Sequence, residues 1–304
     1  MINNRVFVTG ITGFLGSAIA EVFVKNNYEV IGLKRKNSDP WRCKDFLTKV
    51  TLTNVEDEWK QDVLLFKPSL IIHAAWGGVS AKDRDNWLDQ SKNLTLTIEL
   101  LQLANELKVE KFIGLGSQAE YGLFNGVVTE DQPVHPNSAY GLNKLLAMQT
   151  IKCFAEQNSL NWYWLRLFSF FGEKEDANWF IPTIIDKLRT DIPMDMTPGD
   201  QRYAYMYIDD LANLIFNIAV KEVTSGVYYV SSNNHYSLKQ IVHKILRILN
   251  KQENLVNFGA IPYRTNQPML VAGDNARITT QIGNIAEVNF DNSLEKIIRY
   301  RESK

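Results

Sequence analysis

The sequence has little cysteine, no excess of either charge and no long apolar run. Its two cysteines, Cys43 and Cys153, form no CxxC pair and no cluster with histidine, so each is expected to be an incidental thiol and no metal centre is expected. The formal net charge of −1 offers no basic field to a phosphate backbone, which argues against nucleic acid as a partner. No apolar run approaches the ~20 residues of a membrane span. The first residues also lack the apolar core of a signal peptide, and we therefore expect a cytoplasmic protein.

What is present is an alternation of strand and helix patterns in the N-terminal half. Continuous apolar runs such as Leu70–Ile72 are typical of strands buried on both faces, and the stretches between the runs have helical spacing. This order predicts an α/β fold with a parallel sheet covered on both sides. The pattern loosens beyond Gly172, so we expect a main domain over residues 1–170, rejoined by residues 204–222, and a smaller α/β lobe over residues 171–304. The predicted strands are Arg5–Thr9, Glu29–Leu33, Leu70–Ala74, Lys111–Leu115, Trp162–Phe168 and Gly226–Ser231, and the predicted helices are Phe14–Lys25, Leu88–Leu107, Tyr140–Gln157, Asn178–Leu188, Asp209–Val220, Leu238–Asn250 and Leu294–Arg301.

The tract Val6–Gly16 predicts a strand, a tight turn and the start of a helix. Gly10 permits the turn, Gly13 lets the backbone approach a pyrophosphate, and Gly16 lets the helix lie close to the strand. The spacing is GxxGxxG rather than GxGxxG, but the strand before it and the amphipathic helix after it favour dinucleotide binding over a plain turn. Free N–H groups at the helix start would face the anion. The candidate cofactor contacts of this tract are Gly10, Thr12, Gly13, Phe14, Leu15 and Gly16.

The turn after the second predicted strand is basic. An NAD site usually has an acidic residue there, which accepts the ribose 2′-OH. Here the strand continues into Lys34, Arg35 and Lys36, whose charges could pair with a 2′-phosphate. A solvated basic turn is the alternative. We favour NADP(H), with Lys34 and Arg35 as the candidate contacts.

The chemistry is expected from a serine, a tyrosine and a lysine. Tyr140 and Lys144 lie one turn apart on the same face of a predicted helix. A phenol ionises near ~10 in isolation, and a neighbouring ammonium is expected to lower that pKa so that the phenol can exchange a proton with a substrate oxygen. Ser117, at the end of an upstream strand, offers a hydroxyl to the same oxygen.

With these motifs the chain resembles the extended short-chain dehydrogenase/reductase family of NAD-dependent epimerases and dehydratases, over essentially its full length. The further matches are His73-Ala74-Ala75, Asn93, Tyr121-Gly122, Leu165–Phe168 with Gly172, Asn178 with Pro182, and Tyr207–Ala212. The resemblance implies a Rossmann doubly wound sheet, a cofactor that lies over Ala74 and Ala75, a ribose held by Lys144, and a nucleotide-sugar substrate near Asn178. It also implies a homodimer through a four-helix bundle of Leu94–Leu107 and Tyr140–Gln157, although those apolar faces could equally pack within one chain. Structural roles are favoured for His73 and Asn93.

The substrate lobe departs from this family in one place. An arginine that contacts the substrate diphosphate usually stands seven residues before the second Asp of the Tyr207–Ala212 segment, and this chain has Tyr203 there. Either a one-residue bulge brings Arg202 into that place, or another cation such as Arg264 takes the role. Trp76 and Gln118, which directly follow the fourth-strand segment and Ser117, are further candidate substrate contacts.

The choice of reaction depends on the residues after Ser117. In this family, 4,6-dehydratases carry an acidic pair there. This chain has Gln118-Ala119 instead, which argues against dehydration. The direction of Glu120 is left open, with a structural hydrogen-bond acceptor as one interpretation. A net reductase consumes NADPH, so the basic turn after the second strand favours net reduction. The tract Phe258–Met269 also resembles that of 4-keto-6-deoxyhexose reductases of the CDP-abequose synthase type. A nucleotide-sugar 4-epimerase or C4 dehydrogenase is the alternative, and a non-catalytic NADP(H)-sensing protein a remote one.

Overall fold

The computed structural model describes residues 3–283 and 287–304. Its strands are β1 Arg5–Thr9, β2 Glu29–Lys34, β3 Val50–Asn54, β4 Leu70–His73, β5 Lys111–Ser117, β6 Gly126–Val128, β7 Asn161–Leu167, β8 Ser169–Phe171, β9 Met194–Met196, β10 Arg202–Tyr203, β11 Tyr205–Tyr207, β12 Gly226–Val230, β13 Tyr236–Ser237, β14 Val256–Phe258 and β15 Leu270–Gly273. Its α-helices are α1 Phe14–Lys25, α2 Trp59–Phe66, α3 Trp87–Leu107, α4 Ala139–Asn158, α5 Phe180–Arg189, α6 Ile208–Val220, α7 Leu238–Ile248, α8 Ala276–Ile282 and α9 Phe290–Glu302. Within these residues, no helix combines the length and the apolar character that crossing a membrane requires.

The main sheet is parallel and doubly wound, which confirms the predicted α/β Rossmann class. Its strands follow the order β12-β7-β5-β4-β1-β2-β3, and each neighbouring pair is parallel. The order reverses between β1 and β4, so the loops after these two strands separate and open a crevice at their carboxyl ends. Ligands bind at such a switch point in open α/β sheets.

Helices cover both faces of this sheet because its central strands are apolar on both sides. One face packs on α1 and α6 in a cluster that includes Ile19, Phe23 and Ile215. The other face packs on α3 and α4, with Ile151 and Trp164 fully buried between helix and strand. The two layers hold the ends of β1, β4 and β5 in fixed positions at one edge of the sheet.

The C-terminal part of the chain forms most of a second, smaller sheet and a separate apolar cluster of helices. A smaller sheet has the order β13-β10-β15-β6, and its β6 comes from the N-terminal half. Its neighbour is an apolar cluster of α5, α7 and α9. Strand β12 lies at the edge of the main sheet, so Gly226–Val230 belong with that sheet although they lie outside the segment 204–222 that we expected to rejoin it. The division near residue 170 stays a prediction.

The observed elements follow the predicted ones with local differences at their ends. Helix α5 begins at Phe180 and not at Asn178, because Trp179 is in an extended conformation, with φ −83° and ψ 161°. Helix α9 begins at Phe290, where the Asn289 side chain accepts hydrogen bonds from the first-turn amides. The sequence patterns did not predict β3, α2 or the short strands of the smaller sheet.

Candidate active site

The glycine turn after β1 is packed tightly against the chain that follows β4. Gly10 has φ +69°, and a Cβ on it would lie 2.8 Å from the Cα of Ala75. Gly13 caps the N-terminus of α1 without a side-chain hydrogen bond, and the first turn of α1 has no acidic residue. This helix end therefore keeps free N–H groups and a positive dipole for an anion, which suits the pyrophosphate of a dinucleotide.

His73 supports this turn from below. Its Nδ1 lies 3.0 Å from the Thr9 hydroxyl, which also accepts a hydrogen bond from the amide of Ala75 at 3.0 Å. Its Nε2 lies 3.0 Å from the hydroxyl of Thr97 on α3. Burial lowers the pKa of His73 to about 3, so the ring is neutral. Together with Asn93, whose Oδ1 accepts from the Gly77 amide at 2.7 Å, it fixes the loop after β4.

The basic turn after β2 divides its three cations between different partners. The ammonium of Lys34 donates to the carbonyl oxygens of Lys36 at 2.9 Å, Arg35 at 3.2 Å and Ser38 at 3.3 Å, so it closes the turn. Lys36 lies 3.7 Å from the carboxylate of Asp57. The exposed side chain of Arg35 has no hydrogen bond or ion pair with any residue that the structure describes. Of the two predicted phosphate contacts, Arg35 is therefore the available one.

Arg42 is a cation near the cofactor turn that sequence reasoning missed. It is 8% exposed, and it donates to the carbonyl of Lys174 at 2.9 Å and to that of Thr12 at 3.5 Å. Its guanidinium also pairs with Asp176 at 2.5 Å. Arg42 thus ties the glycine turn to the segment after β8. No local motif surrounds it in the sequence that could have predicted these contacts.

Ser117, Tyr140 and Lys144 come together where β5 ends and α4 begins. Ser138 caps α4 by accepting from the Gly141 amide at 3.1 Å, which fixes the direction in which Tyr140 leaves the first turn. The Ser117 hydroxyl accepts from the Ala119 amide at 3.1 Å, and it lies near enough to the Tyr140 phenol to lower the pKa of that phenol. The predicted serine and tyrosine therefore share one small volume.

Lys144 is buried beneath aromatic rings. Its ammonium donates to the Leu115 carbonyl at 2.6 Å and lies 3.7 Å from the centroid of the Trp76 ring. The ring centroids of Tyr140 and Trp164 lie 5.9 Å and 5.8 Å away. Burial lowers the pKa of Lys144 to about 7, because these surroundings solvate the charged form poorly.

The pKa of Tyr140 corrects the sequence-based prediction. We expected Lys144 to lower it, but it is raised above its ordinary value because the phenol is buried. The hydrogen bond with Ser117 and the charge of Arg84 oppose this rise. Lys144 is not among the groups that shift the pKa of the phenol. The phenol is therefore protonated at neutral pH, as a proton donor must be.

Glu120 points into the protein and away from the crevice. It is fully buried, and its carboxylate accepts from the Ser117 amide and the Trp164 indole, both at 2.9 Å. It also pairs with the buried Arg166 at 2.7 Å. With all of these partners, Glu120 supports the segment that carries Ser117 and is not placed to exchange a proton with a substrate.

The predicted substrate residues fall into two groups. Trp76 lies beside the cluster of Ser117, Tyr140 and Lys144, with its ring centroid 6.3 Å from that of Tyr140. The amide oxygen of Gln118 is buried and has no hydrogen-bond partner among the described residues. Asn178 is exposed just before α5. Neither Asn178 nor the arginines of the C-terminal part contact the Ser117 cluster within the described part of the chain.

The two candidate arginines differ in where their side chains are held. Arg202 donates to the carbonyl of His235 at 3.0 Å and 3.3 Å. Strand β10 pairs in register with β13 and β15 at Arg202 and Tyr203, and the Arg202 side chain is exposed. Arg264 is exposed and lies near Tyr203, where it opposes the rise of that phenol's pKa caused by burial.

Known proteins are similar to this chain over most of its length. The profile of the NAD dependent epimerase/dehydratase family matches residues 6–231. A CDP-abequose synthase from Salmonella muenchen is 24% identical over 314 residues, which cover 99% of this chain and 99% of that protein. A dTDP-4-dehydro-6-deoxyglucose reductase from Escherichia coli is 22% identical over 310 residues, with 97% of each chain covered.

The fold is also shared with solved structures. UDP-glucose 4-epimerase from Thermotoga maritima, crystallised with UDP-glucose, superposes with a TM-score of 0.86 at 20% identity. The superposition covers 98% of this chain and 99% of that chain. At this level of identity the likeness establishes the fold alone.

Proposed function

The chain belongs to the NAD dependent epimerase/dehydratase family, and we propose that it reduces the C4 keto group of a nucleotide-linked 4-keto-6-deoxy sugar with NADPH. As a member of this family it is an NAD(P)-dependent enzyme that acts on nucleotide sugars. The preference for NADPH and the direction of the reaction are the parts that we propose.

The observation that carries the proposal is the exposed Arg35 at the end of β2. Lys34 and Lys36 are engaged with the turn and with Asp57, so Arg35 is left to meet a 2′-phosphate with a bidentate pair of hydrogen bonds. An acidic residue that would favour a free 2′-OH does not follow β2. A cofactor recognised in this way suits an enzyme that consumes its reductant in each turnover.

The residues of the site fit a dinucleotide. The uncapped start of α1 suits the pyrophosphate, and the glycine turn leaves room for a close backbone approach. Bound NADPH supplies a hydride to C4. Tyr140, protonated because burial raises its pKa, delivers a proton to the developing alkoxide. The Ser117 hydroxyl donates a hydrogen bond to the same oxygen, and Lys144 would hold the ribose.

Two further residues suit the sugar nucleotide. The buried, unpartnered amide oxygen of Gln118 lies directly after Ser117 and can accept a hydrogen bond from a sugar hydroxyl, which would satisfy it. Arg264 can pair with the diphosphate in the place that Tyr203 leaves without a charge. The names of the CDP-abequose synthase and the dTDP-4-dehydro-6-deoxyglucose reductase support a deoxysugar as the substrate.

A 4-epimerase is the second candidate, because a serine, tyrosine and lysine set can serve a hydride that leaves and returns. Dehydration is disfavoured, since Glu120 is held by Arg166 and Ala119 has no acidic group. A non-catalytic sensor has no need of the three residues, and here they converge.

The test mixes the enzyme, NADPH and a nucleotide-linked 4-keto-6-deoxy sugar, and follows the absorbance of the reduced cofactor together with the sugar product by NMR. We expect one NADPH consumed for each sugar reduced. Sugar conversion without loss of NADPH would replace the proposal with an epimerase. Tyr140→Phe is the matched control, since it should bind NADPH, as seen by cofactor fluorescence, and yet turn over no sugar.

A further inference from the structure

The loop between β4 and α3 is bonded to the first turn of α4. The amide of Tyr140 donates to the carbonyl of Arg84 at 2.8 Å, and the amide of Ala139 donates to the Asp85 carboxylate at 3.2 Å. The first amides of a helix have no partner within the helix. The loop therefore supplies acceptors for the turn that carries the proton donor.

The side chain of Arg84 continues this contact onto the phenol itself. Its guanidinium carbon lies 4.9 Å from the centroid of the Tyr140 ring, and its Nε donates to the Val79 carbonyl at 3.0 Å. Trp76 meets the same ring edge-on. Tyr140 is left only 7% exposed, and its ring packs against a cation and an indole.

Gln90 on α3 fixes both neighbours of the ring. It is fully buried, its Nε2 donates to the Gly78 carbonyl at 2.7 Å, and its Oε1 accepts from the Trp76 indole at 2.9 Å. A second donation reaches the Asp83 carbonyl at 3.4 Å, directly before Arg84. The Gln90 amide thus fixes the position of Trp76 and of the loop that carries Arg84.

We propose that Arg84 is a positioning residue for Tyr140. The guanidinium of Arg84 fixes the plane of the phenol and stabilises the phenolate that remains after the proton is delivered. The inference rests on the proposed function for the role of Tyr140 as proton donor. A cation on an aromatic face is attracted to the ring, and the attraction grows when the ring gains negative charge. The loop would thereby contribute to the proton transfer from Tyr140.

The charged groups around the phenol set the sign of the expected effect. Arg84 and the Ser117 hydroxyl favour the phenolate, and the Glu120 carboxylate disfavours it. Lys144 faces the ring from the next turn of α4, 5.9 Å from its centroid, and Asp85 is bonded to the helix start. Removing the charge of Arg84 therefore raises the pKa of Tyr140.

The experiment titrates Tyr140 directly and needs no turnover. The protein is labelled with tyrosine that carries ¹³C at Cζ, and the Tyr140 resonance is identified by its loss in Tyr140→Phe. We expect Arg84→Gln to move the titration upward by about one pH unit. Arg84→Lys, which keeps the charge, should move it less. The control Lys82→Gln removes an exposed cation of the same loop and should leave the Tyr140 titration in place.

An unchanged Tyr140 titration in Arg84→Gln overturns the inference, and so does an equal shift in Arg84→Lys, because the charge would then play no part. Hydrogen exchange of the Tyr140 amide shows whether the loop contact survives in each variant. The titration is independent of the sugar reaction, so absence of reductase activity with a normal Arg84 effect would count against the proposed function alone. In an active enzyme, the alkaline limb of kcat/KM should move upward together with the resonance.

Discussion

The ammonium of Lys144 lies 3.7 Å from the ring centroid of Trp76 and donates to the carbonyl of Leu115. This is a buried position for a lysine, which is 5% exposed. Its charge is stabilised by one carbonyl and by aromatic faces, and these replace water incompletely. The low pKa of about 7 follows from that exchange.

Lys144→Met should therefore stabilise the free protein in a pH-dependent way. The pKa of Lys144 falls from 10.5 in the unfolded chain to about 7 in the fold, so below pH 7 the folded protein must hold a buried charge. Between these values the unfolded chain binds more protons, and wild-type stability rises with pH. The gain from methionine should be largest at pH 7 and below, of the order of a few kcal/mol, and shrink by about 1.4 kcal/mol per pH unit above it.

Denaturant unfolding of both proteins at several pH values measures this difference. The exposed Lys152 lies on the same helix, and Lys152→Met should change the free energy of unfolding by less than about 0.5 kcal/mol. A stability difference for Lys144→Met that does not vary between pH 7 and 10 would show that the lysine is not desolvated in the fold.

Glu120→Gln tests the buried ion pair behind Ser117. The substitution keeps the shape of the side chain but leaves Arg166, which is 6% exposed, without its counter-charge. Breaking a buried pair by removing one partner costs about 3–5 kcal/mol. The exposed pair of Asp89 and Lys92 is the control, and Asp89→Asn should cost at most about 1 kcal/mol. Equal losses in the two variants would contradict a structural role for Glu120.

The proximity of Ser117, Tyr140 and Lys144 could be predicted because it depends on local geometry. Tyr140 and Lys144 share one face of a helix by their spacing, and Ser117 ends a strand that the apolar run Lys111–Leu115 already predicts. The glycine turn is local in the same sense, since a strand, three glycines and an amphipathic helix fix one another.

The environment of that set could not be predicted, because it depends on tertiary contacts. Burial of the Tyr140 phenol outweighs the cations near it, and no sequence pattern reports the depth at which a helix lies. Arg84 reaches Tyr140 across a loop without periodicity. Lys34 looked like a phosphate contact from its position, but its ammonium is directed to backbone carbonyls by the path of the turn. The edge strand β3 was missed because Thr51, Thr53 and Asn54 give it the polarity of a loop.

Arg35→Gln should lower the selectivity for NADPH over NADH. The exposed guanidinium has no other partner among the described residues, so its loss removes a charged hydrogen bond to the 2′-phosphate. We expect a roughly 10-fold rise in KM for NADPH with little change for NADH. Steady-state kinetics with both cofactors measure this ratio. The control is Lys49→Gln, which removes an exposed cation and should leave this ratio unchanged. An equal rise for both cofactors would show that Arg35 does not recognise the phosphate.

We expect two copies of the chain to form a homodimer through the outer faces of α3 and α4. These helices pack side by side, and they leave Leu88 77%, Ile98 45% and Leu146 42% exposed in the single chain. Apolar side chains of this kind are expected to be covered when two copies form a four-helix bundle. Light scattering should give the mass of two chains, and Leu146→Glu should reduce it to one because a carboxylate would be buried in the bundle. The control Leu65→Glu changes an equally apolar residue, 71% exposed on α2, and should remain dimeric. A wild-type mass of one chain, or dissociation by both variants alike, would contradict an interface on α3 and α4.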